Sequence, residues 1–396
     1  MSLSRLCTFG CLLAAAPAAA QAVECSALPN PVYIQAGSTI IPTVRELARL
    51  LRDSTANPMT LVFISGRSCT MINEIATDVP LAATPTFVPS SIEDPAWTSS
   101  SAPLTCTLPA GQLTELVHAD VFARDCSDVP LPADVKEFTG PVLPFVWIAP
   151  EASAQTAITA EEAYFVWGFG AAGGVQPWID EAFLMTRPNT SGTKLTFGAH
   201  IGVPVARWLG VQHESSGDLR GAVAGSTNPD ATIGILGGSD YDANRDTLKA
   251  LAYKSRGQRF GYFPDKTSTS FEKQNVRDGH YTLWAPAVFL TKVAATGAPA
   301  NARVAFLLDL FASRAVPGGD VDATGLMIDN GFVPQCAMSV ERDGLAGDLR
   351  PFTPDAPCGC FFEDRVGAAS ACTGCVVDSD CGAGSCVLGF CEGGVQ

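Results

Sequence analysis

Basic side chains are scarce in this chain of 396 residues: 25 Lys and Arg stand against 40 Asp and Glu, leaving a formal net charge of −15. Nucleic acid and anionic lipid are poor partners for such a chain, because binding them through counterion release needs clustered cations. Long apolar runs are missing as well. Beyond the leader no stretch approaches the roughly 18 apolar residues that a membrane-spanning helix requires. There are only four histidines, His118, His200, His213 and His280, in no metal-ligand spacing, and they read as structural or exposed. No G-x-S-x-G elbow, Walker loop or H-E-x-x-H helix is found, so the familiar hydrolase, nucleotidase and zinc-protease signatures are excluded. No cofactor or metal is expected.

What is present begins with an address. Arg5, the small apolar stretch from Leu12 to Ala20 and the Ala20-Gln21-Ala22 cleavage pattern predict an export signal over 1–22, placing the mature chain outside the cytoplasm, periplasmic or extracellular. Of fourteen cysteines, Cys7 and Cys11 leave with it. The remaining twelve are even in number, as expected where thiols oxidise. Seven lie at or after Cys358 and five before it, so full pairing needs at least one bridge from tail to body, with Cys336 the nearest partner. The tail, 350–396, is too poor in large apolar residues to build a core and needs covalent staples. Zinc is the rival reading of its cysteines, disfavoured by the absence of any histidine after His280.

Strand, polar turn and helix alternate along the body. Val32 to Ile34 reads as a buried strand, and Ile40, Val44, Leu47, Ala48 and Leu51 fall on one helical face. Leu61 to Ile64 and Met71 to Ile75 repeat the unit. Such alternation predicts an α/β fold with parallel strands and a ligand outside their carboxyl ends. The Pro/Ser/Thr-rich segment 78–110 reads as an insertion, with Cys106 and Cys126 placed to clip its base. Val142 to Ala149 is a strand, Glu161 to Trp167 a helix, Ala182 to Thr186 and Ile233 to Leu236 strands. Tyr281 to Trp284 reads as a strand returning to the first lobe, followed by a helix over Asn301 to Arg314. The division expected is lobe 1 over 23–140, lobe 2 over 141–268, the return over 269–349, then the tail.

Four polar loops follow strands: Gly37-Ser38-Thr39, Ser65-Gly66-Arg67-Ser68, Ser127-Asp128, and Arg187 to Thr193. They hold what a desolvated tetrahedral oxyanion requires: free N–H groups and the positive pole of a helix start, small residues for close approach, hydroxyl donors and one bidentate guanidinium. Singly each reads as an ordinary helix cap or turn. Gly168-x-Gly170-x2-Gly173 matches a dinucleotide fingerprint but follows a helical pattern. Asp240-x-Asp242-x-Asn244-x-Asp246 and Asp320-x-Asp322-x-Thr324-Gly325 are incomplete calcium loops.

Together the Gly-Ser-Thr loop, Ser127-Asp128-Val129-Pro130-Leu131 and above all Arg187-x3-Ser191-Gly192-Thr193 resemble the phosphate-binding proteins of phosphate ABC transporters, type II periplasmic binding proteins. Further likeness lies in Trp147-Ile148-Ala149-Pro150 and in Val276 to Tyr281. The resemblance spans about residues 30–345. It implies a two-lobed, hinged fold, a monomer without enzymatic activity, an ABC permease as partner, and phosphate or a similar oxyanion as ligand. Site by site it implies Ser38 and Thr39 as donors from the first helix, Ser68 from the second, and Arg187, Ser191, Gly192 and Thr193 from the second lobe. Asp128 would accept the proton that phosphate keeps and sulfate lacks. Arg67 and Cys69 depart from the family's small second loop, leaving Arg67 open as a second cationic ligand and an organic phosphate open as an alternative. A hydrolase acting on a phosphorylated or acyl substrate, or a surface sensing or adhesion protein, are the competing functions.

Overall fold

A computed structural model describes residues 23–126, 130–314, 319–368 and 371–393. The expected leader, 1–22, and the Ser127-Asp128 pair lie outside the described residues.

Lobe 1 is assembled from β1 (Pro31–Gly37), α1 (Ile41–Asp53), β2 (Thr60–Gly66), α2 (Ser68–Ala76), the short edge strands β3 (Thr86–Phe87) and β4 (Leu104–Thr105), and β5 (Leu116–Ala119). β1 pairs in parallel with β2 on one side and β5 on the other, so the turns after all three open at one sheet edge. Val44, Leu47, Ala48 and Leu51 pack α1 onto the sheet, as the 3.6-residue spacing requires, while Arg45 and Arg49 donate to insertion carbonyls and Arg52 donates to Thr60 Oγ1.

β6 (Val135–Pro150) is long enough to serve both lobes. Its first half pairs antiparallel with the returning strand, and its second half with strands of lobe 2. Lobe 2 follows as β7 (Ala157–Thr159), α3 (Ala160–Phe169), β8 (Leu184–Thr186), α4 (Gly192–Ile201), β9 (Val211–Gln212), α5 (Ser216–Ala224), β10 (Ile233–Gly237), α6 (Gly238–Asp242), β11 (Leu248–Ala250), β12 (Ala252–Lys254) and α7 (Gln274–Arg277). The chain then returns as β13 (Trp284–Lys292), with α8 (Ala302–Phe311) and α9 (Ala323–Asp329) behind it and α10 (Gly359–Arg365) opening the tail. The main sheet runs β4-β3-β2-β1-β5-β13-β6-β10-β8-β9, with β11 also on β6.

Three expectations are corrected. The sheet is mixed and not purely parallel, because β6 and β13 cross between lobes in opposite directions. The returning strand is Trp284–Lys292; Tyr281 precedes it, its Oη donating to the Phe145 carbonyl at 2.5 Å. The insertion is not clipped by a Cys106–Cys126 bridge. Cys106 joins Cys25 and Cys126 joins Cys69, since each lies beside the neighbouring strand end and not beside the other. The inferred tail-to-body link is present as Cys336–Cys358, and Cys360–Cys372, Cys375–Cys386 and Cys381–Cys391 staple the tail itself. With these sulfurs bonded to one another, none is a thiolate for zinc. No helix among the described residues is long and apolar enough to cross a membrane.

Candidate anion site at the lobe seam

Three helix starts face one another across the seam. Gly37, Ser38 and Thr39 lead from β1 into α1, Ser68 is the first residue of α2, and Ser191 caps α4, whose first turn begins with Gly192 and Thr193. Each follows directly from a buried strand of the sheet, β1, β2 or β8, which aims the N–H groups of the first helical turn into the seam. Thr39, Ser68, Ser191 and Thr193 are all buried. Close approach depends on glycine at 192: a methyl group there would stand 2.5 Å from Ser68 Oγ and 2.7 Å from Asp120 Cβ.

The carboxylate at the centre of this group is Asp120, the residue after β5. Thr39 Oγ1 donates to Asp120 Oδ1 at 2.6 Å, and the Asp120 amide donates to Ser68 Oγ at 3.2 Å. Thr193 adds a side-chain hydrogen bond to it from lobe 2. Burial pushes the Asp120 carboxyl up to about 6, against the opposing pull of Thr39 and Arg187. Neighbouring His118 lies 3.9 Å away, but burial lowers its pKa to about 3, so it is neutral and forms no ion pair.

Arg187, 5 % exposed, enters from the end of β8. Nη1 donates to Ser216 Oγ at 2.7 Å and Nη2 to the Glu214 carbonyl at 3.0 Å, while Nε has no partner among the described residues. Ser216 Oγ also meets Ser38 Oγ of lobe 1 at 3.0 Å. A second carboxylate, the half-buried Asp240, is likewise raised to about 6 by desolvation, with Arg220, a hydrogen bond from Ser216 and Arg187 pulling it down. Burial lowers the Arg187 pKa, and Asp120, Asp240 and Glu214 counter it. The guanidinium stays charged, since arginine keeps its proton in proteins. Behind it, Lys194 is fully buried and holds Asn189 of the same loop at 2.8 Å.

Of the residues singled out from sequence, Thr39, Ser68, Arg187, Gly192 and Thr193 surround Asp120, Ser38 joins them through Ser216, and Ser191 caps the helix alongside. Asp128 lies outside the described residues. Arg67 is at the rim, pairing with Glu214 across the seam at 2.6 Å with 43 % of its side chain exposed. Asp120, Ser216 and Asp240 were not foreseen. For Asp120 the available signal was the apolar run Leu116 to Ala119 ending in an acid; Ser216 follows Ser215, the cap of an S-x-x-D box completed by Asp218. Asp240 belongs to one of the incomplete calcium loops, whose Asp242 is bound to Arg245 and Lys273, while Asp240 itself lies near Ser216 and Arg187. The other loop is similarly occupied, Asp320 accepting from Ser54 Oγ and the Thr55 amide, both at 2.7 Å. The glycine fingerprint ends α3 and does not connect a strand to a helix.

No family model matches the sequence, and no curated protein matches it. Among solved structures, a protein assigned as a phosphate ABC transporter substrate-binding protein, with bound phosphate, from Clostridium perfringens is 14% identical; the alignment covers 77% of this chain and 99% of that one, with TM-score 0.50. An ABC-type phosphate transport receptor from Vibrio cholerae is 13% identical, with coverage of 76% and 99% and TM-score 0.46. The regulatory domain of reduced OxyR from Pseudomonas aeruginosa is 11% identical, with coverage of 70% and 94% and TM-score 0.39. The chain has the two-lobed α/β fold of periplasmic substrate-binding proteins, with a disulfide-stapled tail added at its end.

Proposed function

We propose that this protein is an exported solute-binding protein that captures a small oxyanion of the phosphate class between its lobes and releases it unchanged. The observation that carries the reading is the convergence on one buried point of the Arg187 guanidinium, with an Nε that has no partner among the described residues, three helix starts and the Asp120 carboxylate. A net charge of −15 repels anions at long range, so attraction has to be local, and this is the arrangement that supplies it.

Lobe 1, taken as 23–140 with its insertion at 78–110, contributes Ser38, Thr39, Ser68 and Asp120. Lobe 2, taken as 141–268, contributes Arg187, Ser191, Gly192 and Thr193, and 269–349 returns to lobe 1. An anion touching both sets favours the closed arrangement by the difference in its affinity for the two states. Asp120 then acts on selectivity. Phosphate near neutral pH keeps a proton to donate to an ionised carboxylate, whereas sulfate has none, and two opposed acceptors in a dry site cost a few kcal/mol. An ABC permease would receive the ligand, with the protein acting as a monomer.

Titration calorimetry with phosphate tests the proposal. Wild-type protein should bind one equivalent, and Arg187→Ala should lose about 100-fold in affinity or more, the scale for removing one partner of a buried charge-assisted contact. Unchanged titration by the variant would dispose of the site.

A further inference from the structure

The anion site opens outward into a cleft of ≈ 570 Å³ that has Arg187 and Ser38 in its lining. That volume is in the range of pockets that enclose organic ligands, ≈ 300–1,000 Å³, and is far more than a bare oxyanion fills. Its walls differ in character from the seam. Ile64, Met71, Val79 and Leu81 present apolar surface from β2, α2 and the start of the insertion. Set among them are hydrogen-bond acceptors. Gln35 also lines the cleft and is 5 % exposed; its Nε2 donates to Glu74 Oε2 at 2.5 Å, while its carbonyl oxygen Oε1 is buried without a partner among the described residues. The Glu74 carboxylate lines the same wall.

A buried acceptor left unpaired calls for a donor on whatever occupies the space. Beside the oxyanion, then, the cleft asks for a short, partly apolar group bearing hydroxyls. Cationic rim chemistry points the same way: Arg67, also on the cleft, is already engaged by Glu214 and leaves no uncompensated charge for a second anionic group. From these features, and resting on the oxyanion reading above, we infer that the physiological ligand is a phosphate monoester of a small polyol, its phosphoryl group held at Arg187 and Asp120 and its hydroxylated carbons lying along Met71 towards Gln35 and Glu74. A monoester, unlike a diester, retains the titratable proton that Asp120 accepts.

Calorimetry on the full oxidised chain with inorganic phosphate, glycerol 3-phosphate and glycerol separates the possibilities. Glycerol 3-phosphate is expected to bind at least ten-fold more tightly than phosphate, and glycerol alone not at all. Thr70→Trp, which fills the cleft from the exposed side of α2, should abolish that preference while leaving phosphate affinity within two-fold. Glu74→Ala should reduce it several-fold without touching phosphate. If phosphate binds in an Arg187-dependent manner and glycerol 3-phosphate binds equally or less well, the ester inference falls while the oxyanion site stands. If neither anion binds, both fall.

Discussion

The two lobes are held together by different means. Lobe 1 contains two disulfides, Cys25–Cys106 and Cys69–Cys126, and the tail with its junction contains four more, whereas no cysteine occurs in the sequence between Cys126 and Cys336. Lobe 2 has aromatic packing in their place. Trp167 stacks on Trp208 at 4.7 Å between ring centroids, and Trp147 lies edge-on to Phe197 at 4.4 Å and stacks with Trp167 at 5.9 Å. The lesson is where a chain needs covalent help. The insertion places Val88 in the main core, while Phe87 and Cys106 belong to a small satellite cluster with Cys25, Tyr33 and Val62, in which the Cys25–Cys106 bridge lies. The lobe 2 core is large enough to do without one.

This contrast should break most visibly at Trp147. Trp147→Ala opens a cavity among Trp167, Phe197 and Trp208 and should cost about 3–5 kcal/mol, the range for truncating a buried Trp. Hydrogen exchange should accelerate in β8, α4 and β10 far more than in β1, β2 and β5; equal acceleration in both lobes would mean that they share one cooperative core.

Removing the Cys25–Cys106 bridge by Cys25→Ser with Cys106→Ser should do the reverse. The closed loop separates the cysteines by 81 positions, for which chain entropy gives about 4.5 kcal/mol as an upper figure, and measured losses commonly fall below it. The same exchange experiment should now show loss of protection around β3 and β4, with lobe 2 unaffected.

The two sides of the seam also differ in charge, Arg187 of lobe 2 standing near Asp120 of lobe 1, and the proposed selectivity rests on that pair. Asp120→Asn turns an acceptor into a donor and should improve sulfate binding about 10- to 100-fold relative to phosphate, by removing one buried acceptor–acceptor clash. The wild-type protein should show the same relaxation with pH. Without ligand the Asp120 carboxyl lies at about 6, so below that value it is neutral and can donate to sulfate, and above it the clash returns. Its effect on stability has a definite sign. A carboxyl raised in the folded state binds its proton more tightly than in the unfolded chain, so its contribution favours folding at low pH and is lost as pH rises through about 6. Asp120→Asn should flatten that part of the melting profile between about pH 4 and 6. Sulfate affinity that is flat across this range in the wild type would remove Asp120 as the selector.

Much of this arrangement was legible in the residues. Apolar spacing located β1, α1, β2, α2, the core of β6 and β10, because periodicity registers burial on one face. Arg187, Ser191, Gly192 and Thr193 were legible through the resemblance of Arg187-x3-Ser191-Gly192-Thr193 to the phosphate-binding loop, and small residues suit a helix start that other residues approach closely, as Ser68 and Asp120 approach Gly192. Asp120 was not. A carboxylate after a short strand looks the same whether it faces water or, as here, a guanidinium and two threonines, and Asp128 carried the more distinctive motif. Pairing of Cys69 with Cys126 was equally hidden, since it depends on which strand ends become neighbours in the sheet.

By itself, then, the sequence determined an acidic α/β chain with an even set of cysteines outside its leader and a small, hydroxyl-rich loop after Arg187, because composition and periodicity are local properties. Only the tertiary structure brought Asp120 to Thr39 and Arg187, decided which sulfurs meet, and continued the seam into a cleft. Those outcomes depend on β5 lying beside β1 and on β6 and β13 bridging the lobes, contacts between residues far apart along the chain that no local pattern encodes.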